Sequence, residues 1–209
     1  MTPVDGPVDG EAAPTAKIDK ALLRQVLRER RARYVSALPP SARNLSFRVL
    51  PSPVLRRLPA GATVALYYAT GDEVPTENIA LQLDSLGFRL ALPRLEARDG
   101  MMHFAHWDLD QILVPGRFRT LQPAPDAMDV VPDVIVAPML GFDPALGRLG
   151  QGGGYYDRVF AAYPAAMRIG LAWSAQQVDH IPMEPHDLPL HLIVTEAAIL
   201  EREDAAGEI

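Results

Sequence analysis

The chain has no cysteine among its 209 residues. Disulfides, thiolate metal centres and a cysteine nucleophile are therefore excluded, and the absence agrees with a reducing compartment. No uncharged apolar run approaches the roughly 18 residues that would cross a bilayer. The most apolar stretch, residues 134–142 (VIVAPMLGF), is short and broken by Pro138. An excess of positive charge is lacking too. With 20 Lys and Arg against 26 Asp and Glu, the net charge of −6 makes the chain as a whole a poor binder of nucleic acid. The opening residues MTPVDGPVDGEAAPT carry acids and prolines where an export signal needs basic residues and then an apolar stretch, so a cytoplasmic protein is expected.

What is present is ordinary globular usage, with 48% hydrophobic and 22% charged residues. That suffices for a buried core in one domain of this length. Residues 1–16 are small, acidic and proline-rich, which predicts a disordered leader; a single catalytic domain is expected over 17–200 and a tail over 201–209. The charge is segregated along the chain. Residues 17–48 hold nine Lys and Arg against two Asp and Glu, a local excess that suits an anion, a membrane surface or mere solubility.

In residues 19–38 the apolar positions Ala21, Leu22, Val26, Leu27 and Tyr34 recur at helical spacing until Pro39 and Pro40 stop the run. Lys20, Arg24, Arg28 and Arg31 stack along the other side of this helix. A weaker helical stretch is expected over 41–58, a buried strand over 63–69 (TVALYYA), a helix ending at Gly87, and strands at 88–94 and 101–107. Further strands are expected at 133–139, 168–173 and 192–196, with a helix starting near Tyr155. Strands alternating with helices predict an α/β fold, a Rossmann-like three-layer α-β-α sandwich with a mostly parallel sheet. Ligands of such folds bind beyond the C-terminal strand ends, which directs attention to the loops at 70–76 and 141–154.

The second loop is the most informative segment. Gly150, Gly152, Gly153 and Gly154 sit between a strand and a helix, where backbone N–H groups can approach an anion at the positive helix end. Arg148 adds a fixed charge suited to a phosphate oxygen. Asp157, one turn into the helix, suits Mg²⁺, which binds nucleotides through one or two carboxylates plus phosphate oxygens. Neither GxxxxGK[ST] nor a clean GxGxxG is present. A flexible turn with an N-terminal helix aspartate is the plain alternative. His103 and His106 have the spacing of a metal pair, but in a strand they fall on opposite faces, which argues against a shared ion. Trp107 and Trp173 are expected in the core.

The run RLGQGGGYYDR (148–158) resembles the signature RLGxGxGYYDR of the 5-formyltetrahydrofolate cyclo-ligase family, also called 5,10-methenyltetrahydrofolate synthetases. The resemblance extends over roughly 17–200: the KxxLR element is Lys20 to Arg24, the acidic element after the first strand is Glu73-Val74-Pro75-Thr76, and Pro93-Arg94 and Met101-Met102 follow. Late elements are GLAWSAQ (170–176), PMEPHD (182–187) and IVTE (193–196). Two departures stand out, His191 where an aspartate is often found and the proline-rich leader.

The resemblance implies an enzyme that uses ATP and Mg²⁺ to convert 5-formyltetrahydrofolate into 5,10-methenyltetrahydrofolate through a phosphorylated formyl group. It implies ATP binding by Lys20, Arg24, Arg148, Leu149, Gly150, Gln151, Gly152, Gly153, Gly154, Tyr155 and Tyr156. It implies substrate binding by Tyr68, Glu73 and the segment from Gln151 to Tyr155, metal ligation by Asp157 and Asp187, and catalytic roles for Lys20, Arg148 and Tyr155. Small-molecule substrates, a monomer, and no nucleic-acid or membrane partner are expected. Two other classes remain open on the residues alone: a sugar-phosphate or acyl-CoA enzyme using the glycine loop without ATP turnover, and a folate- or nucleotide-binding regulator without turnover.

Overall fold

The computed structural model describes residues 19–95, 100–184 and 187–201. The expected leader at 1–16 lies outside the described residues, as does the expected tail except for Glu201. Helix α1 (Lys20–Ala37) opens at Asp19, whose side chain accepts a 2.8 Å hydrogen bond from the Ala21 N–H, and stops before Pro39 and Pro40. The stretch expected to be helical at 41–58 splits into α2 (Pro40–Ser46) and α3 (Ser52–Leu55), each with a proline in its first turn. Strand β1 (Thr63–Ala65) leads through α4 (Glu77–Ser85) to β2 (Arg89–Leu95) and β3 (Met102–His106). Past Ser85, Gly87 takes the left-handed conformation (φ 81°) that closes helix ends without a Cβ clash.

A small ribbon follows, β4 (Val114–Pro115) with β5 (Leu121–Gln122), and then the central strand β6 (Val134–Ala137). Next come a hairpin, β7 (Gly141–Phe142) with β8 (Arg148–Leu149), then α5 (Tyr155–Ala162), β9 (Met167–Leu171), β10 (Leu192–Val194) and β11 (Ile199–Glu201). The main sheet runs β11-β10-β9-β6-β1-β2-β3; β10–β11 and β2–β3 pair antiparallel and the four inner pairings are parallel.

Alternation along the strands builds the layers. Val64, Val134, Val136, Ile169 and Leu192 point to one face, where Val35 of α1, Val54 of α3 and Ile79 and Leu83 of α4 complete a core. Ala65, Ile135, Ala137 and Ile193 point to the other face, against Val159 and Phe160 of α5. Strands covered on both faces are apolar throughout, as β6 (VIVA) is. Among the described residues no helix is long and apolar enough to cross a membrane.

The structure departs from expectation in instructive places. The run 63–69 reads as one strand, yet ladder pairing ends at Ala65; Tyr67 is drawn away by a 2.8 Å hydrogen bond from its hydroxyl to the Val74 carbonyl. Trp107 is only partly buried, whereas Trp173 is fully buried against Phe47 and Tyr34, its indole N–H donating to the Asp72 carbonyl at 3.0 Å. Glu196, just past β10, accepts from the Tyr34 hydroxyl at 2.6 Å and from the Ser174 N–H at 2.8 Å, tying α1 to the sheet.

Truncating Trp173 to Ala should cost about 3–5 kcal/mol, read as a lower urea midpoint at unchanged slope. Burial works to raise the Glu196 pKa, but hydrogen bonds from Ser174 and Tyr34 outweigh it and hold the carboxyl below its ordinary value. Its contribution is thus present above that ordinary value of 4.5 and is lost as pH falls through the lower folded value. Urea midpoints measured between about pH 3 and 7 should therefore fall less steeply on the acid side for Glu196→Gln than for the wild type.

Candidate active site

The sheet order forces a reversal: the chain leaves β1 for β2 on one side and returns to β6 on the other. Where neighbouring strands feed loops in opposite directions, their C-terminal ends splay and leave a crevice. A cavity of about 650 Å³ lies there. Tyr67 and Tyr68, just beyond β1, and Pro138 and Met139, just beyond β6, form its floor, and Pro93 and Leu95 of β2 line it as well.

Lys20, Arg24, Tyr68, Glu73, residues 148–157 and Asp187 all line this one cavity. They come from four separate stretches of chain. The first turns of α1 reach over the end of the sheet because Leu27 packs with Leu140, Leu149 and Ile181 in a small core of their own. Arg24 Nε then donates to the Gly150 carbonyl at 3.1 Å, and Arg28 Nη2 donates to Gln151 Oε1 at 3.1 Å. Arg31, one turn further along, is 7% exposed and donates to the Met139 carbonyl rather than facing solvent with the others.

The glycines are used for their backbone. Gly152 (φ 98°) and Gly154 (φ 65°) occupy the left-handed region, and a Cβ on Gly153 would strike the Tyr155 ring at 2.9 Å. Gly154 caps α5 without a side-chain hydrogen bond, so the first N–H groups of that helix are left for an incoming acceptor.

Charge is matched inside the cavity wall. Arg148, 9% exposed, donates to Asp157 Oδ1 at 2.7 Å, and its guanidinium lies 5.4 Å from the Tyr156 ring centre and 5.5 Å from that of Phe160. Lys20 Nζ lies 2.9 Å from Glu184 Oε1 and 3.0 Å from Asp187 Oδ2. Partial burial pulls the lysine pKa down, but hydrogen bonds to the two carboxylates outweigh it and raise the pKa above its ordinary value. Burial, reinforced by the charge of Glu73, pushes the Tyr156 phenol well above its ordinary range despite the nearby Arg148. Glu73 Oε2 accepts from the Thr70 N–H at 2.9 Å and its hydroxyl at 3.1 Å, which fixes the carboxylate at the cavity edge.

Two contributors carry no role in the sequence reading. Glu184 lies within the PMEPHD element but gives no sign of being the partner of Lys20. Phe118, between β4 and β5, has φ 57° and sets its ring 5.7 Å from that of Tyr155 at the cavity wall. Its segment GRFRT has no periodicity, so only a lone aromatic between arginines marked it. His191 lies away from the cavity wall: its Nδ1 accepts from the Arg168 N–H at 2.8 Å at the start of β10. His106 pairs with Asp108, and His186 lies outside the described residues.

Among the described residues no group of three or more His, Asp or Glu is placed to cage a metal. Asp157 and Asp187 both line the cavity, the first paired with Arg148 and the second with Lys20.

The model of the 5-formyltetrahydrofolate cyclo-ligase family matches residues 16–196. The Escherichia coli K12 5-formyltetrahydrofolate cyclo-ligase is 33% identical over 146 residues, covering 66% of this chain and 80% of the relative. The Mycolicibacterium smegmatis protein of that name is 32% identical over 145 residues, covering 65% and 74%. The NMR structure of Aquifex aeolicus 5,10-methenyltetrahydrofolate synthetase superposes with a TM-score of 0.72 at 26% identity, over 91% of this chain and 96% of that one. The Mycoplasma pneumoniae 5,10-methenyltetrahydrofolate synthetase superposes with a TM-score of 0.62 at 25% identity, over 86% and 99%. With the family model spanning nearly the whole described chain, and the same fold in two solved structures, this chain belongs to the 5-formyltetrahydrofolate cyclo-ligase family.

Proposed function

We propose that the cavity closes 5-formyltetrahydrofolate to 5,10-methenyltetrahydrofolate at the expense of ATP, with Mg²⁺ accompanying the nucleotide. The observation that carries this reading is the meeting of α1 with the glycine loop: Arg24 donates to the Gly150 carbonyl across 126 positions of sequence, beside the uncapped start of α5. Cations, backbone N–H groups and a helix N-terminus on one wall suit a polyphosphate. Tyr68, Glu73 and Phe118 elsewhere on the lining offer aromatic and carboxylate surface to a flat heterocycle with paired N–H donors.

The chemistry asks for this division. A formyl group on nitrogen is an amide, and its oxygen is a weak nucleophile. Rate must come from holding that oxygen in line with the γ-phosphorus and from neutralising charge on the phosphoryl oxygens. The formyl oxygen forms a bond to phosphorus as the bridging bond to ADP breaks. N10 of the same folate then attacks the activated formyl carbon, the ring closes, N10 loses its proton and inorganic phosphate leaves. Lys20, Arg24 and Arg148 face the transferring charge, while the loop from Gln151 to Tyr155 separates nucleotide from folate. When bound, Mg²⁺ supplies further charge neutralisation, and Asp157 and Asp187 are the residues that would hold it.

Mixing the protein with Mg-ATP and 5-formyltetrahydrofolate should produce the absorbance band of the methenyl product together with one ADP per turnover. Folded protein that yields neither overturns the reading, and turnover of a sugar phosphate without ATP would favour the other enzyme class. Asp157→Ala should lower Mg-dependent turnover by about 10²–10³-fold while near-UV circular dichroism stays unchanged; wild-type turnover in that variant would remove Asp157 from the metal assignment.

A further inference from the structure

The wall read above as phosphate-facing is assembled from two segments about 30 residues apart in sequence. One is the hairpin β7–β8 with the glycine loop, which presents Arg148. The other is the segment 177–187, which presents Glu184 and Asp187 to Lys20. Leu149 of the hairpin packs with Ile181, and two backbone hydrogen bonds link the segments: the Val178 N–H donates to the Phe142 carbonyl at 2.9 Å, and further on the Leu190 N–H donates to the Leu146 carbonyl at 3.0 Å. Between these, one buried carboxylate hydrogen-bonds to both segments.

That side chain is Asp143, at the mouth of the hairpin turn and 2% exposed. Its Oδ1 accepts from the Gly147 N–H at 2.9 Å and its Oδ2 from the Ile181 N–H at 2.8 Å. Among the described residues no Lys or Arg pairs with it, and the exposed His180 ring lies 3.8 Å from its Oδ2. Gly147 immediately precedes Arg148, and Ile181 stands three residues before Glu184. The turn is also tightly determined. Leu146 holds a left-handed backbone (φ 62°) while fully buried, and a Cβ on Gly147 would sit 3.0 and 3.1 Å from the two Asp143 oxygens and 3.2 Å from Met183 Sδ.

We infer that Asp143 is a positioning residue for the nucleotide wall, clamping the Arg148 hairpin to the Glu184–Asp187 segment through its two carboxylate oxygens. The inference rests on the reading of this wall as the ATP side of the cavity. A carboxylate is suited to the task because both oxygens accept and neither donates. An amide keeps the shape but offers one acceptor and one donor group, so one of the two N–H groups loses its partner. Tyr68 and Glu73 of the folate side leave from β1, with Glu73 held by Thr70, so of the folate contacts only the loop from Gln151 to Tyr155 follows the clamped hairpin, and the clamp bears more on the nucleotide than on the folate.

The test compares Asp143→Asn and Gly147→Ala with the wild type in three measurements: calorimetric binding of Mg-ATP, KM for ATP and for 5-formyltetrahydrofolate, and the melting temperature. Opening one arm of the clamp should weaken Mg-ATP binding and raise the ATP KM by about ten- to a hundredfold, the worth of one charged hydrogen bond, with the folate KM changed by less than about threefold. Folded Asp143→Asn that binds Mg-ATP like the wild type, with only a lower melting temperature, overturns the inference. Should Asp143→Asn fail to fold, Gly147→Ala must show the same ATP-selective loss, and equal losses for both substrates there overturn it. Wild-type protein that binds no Mg-ATP overturns the nucleotide reading and this inference together, a result distinct from wild-type binding with an unaltered variant.

Discussion

The reversal of chain direction around β1 governs everything downstream of it. Once β2 and β6 flank β1 on opposite sides, the loops after β1 and β6 must diverge, and the crevice between them cannot be filled by either. The inner apolar strands that enforce this order are covered by side chains on both faces, so the crevice stands on the buried core of the sheet. The loops above it bring chemistry but do not create the space. This separation lets residues 148–157 adopt a conformation rich in left-handed glycines without loosening the sheet beneath.

Charge inside the crevice follows the same economy of place. Two of the cations that line it are matched by acids, Arg148 by Asp157 and Lys20 by Glu184 and Asp187, while Arg24 donates to the Gly150 carbonyl. Isolated buried charges are costly, and pairing within the wall removes most of that cost in the unliganded protein. The rings of Tyr156 and Phe160 lie 5.4 and 5.5 Å from the Arg148 guanidinium carbon and add a cation–π contact to the ion pair.

Much of this was legible in the amino-acid order, and what was not has identifiable causes. Hydrophobic periodicity located α1, α4, α5 and the inner strands because each buries one face or two. The glycine run and its flanking Arg148 and Asp157 stood out because few local structures need four glycines in five positions. The hairpins β4–β5 and β7–β8 and the edge strand β11 were invisible, since strands of two or three residues show no alternation. The run from Leu66 to Ala69 is as apolar as a strand but is turned aside by the Tyr67–Val74 hydrogen bond, a contact that composition does not encode. Partnerships between distant positions were equally hidden. Lys20 with Glu184, Arg28 with Gln151, and Arg31 turned inward to Met139 depend on where α1 lands, which is a property of the Leu27 contact cluster.

The prior matching of cations and acids changes how any anion must enter. In an open basic groove, an arriving anion adds attraction and displaces mobile ions from solution, so its affinity collapses as salt rises. On the proposed reading an anion meets Arg24 and the α5 N–H groups directly, whereas taking Lys20 and Arg148 requires exchange, with their carboxylates left for an accompanying cation. For Lys20 and Arg148, occupancy redistributes matched charge rather than neutralising a bare excess. Such a wall favours a ligand that delivers both signs together, with an affinity that should fall less steeply with salt than that of a bare basic groove.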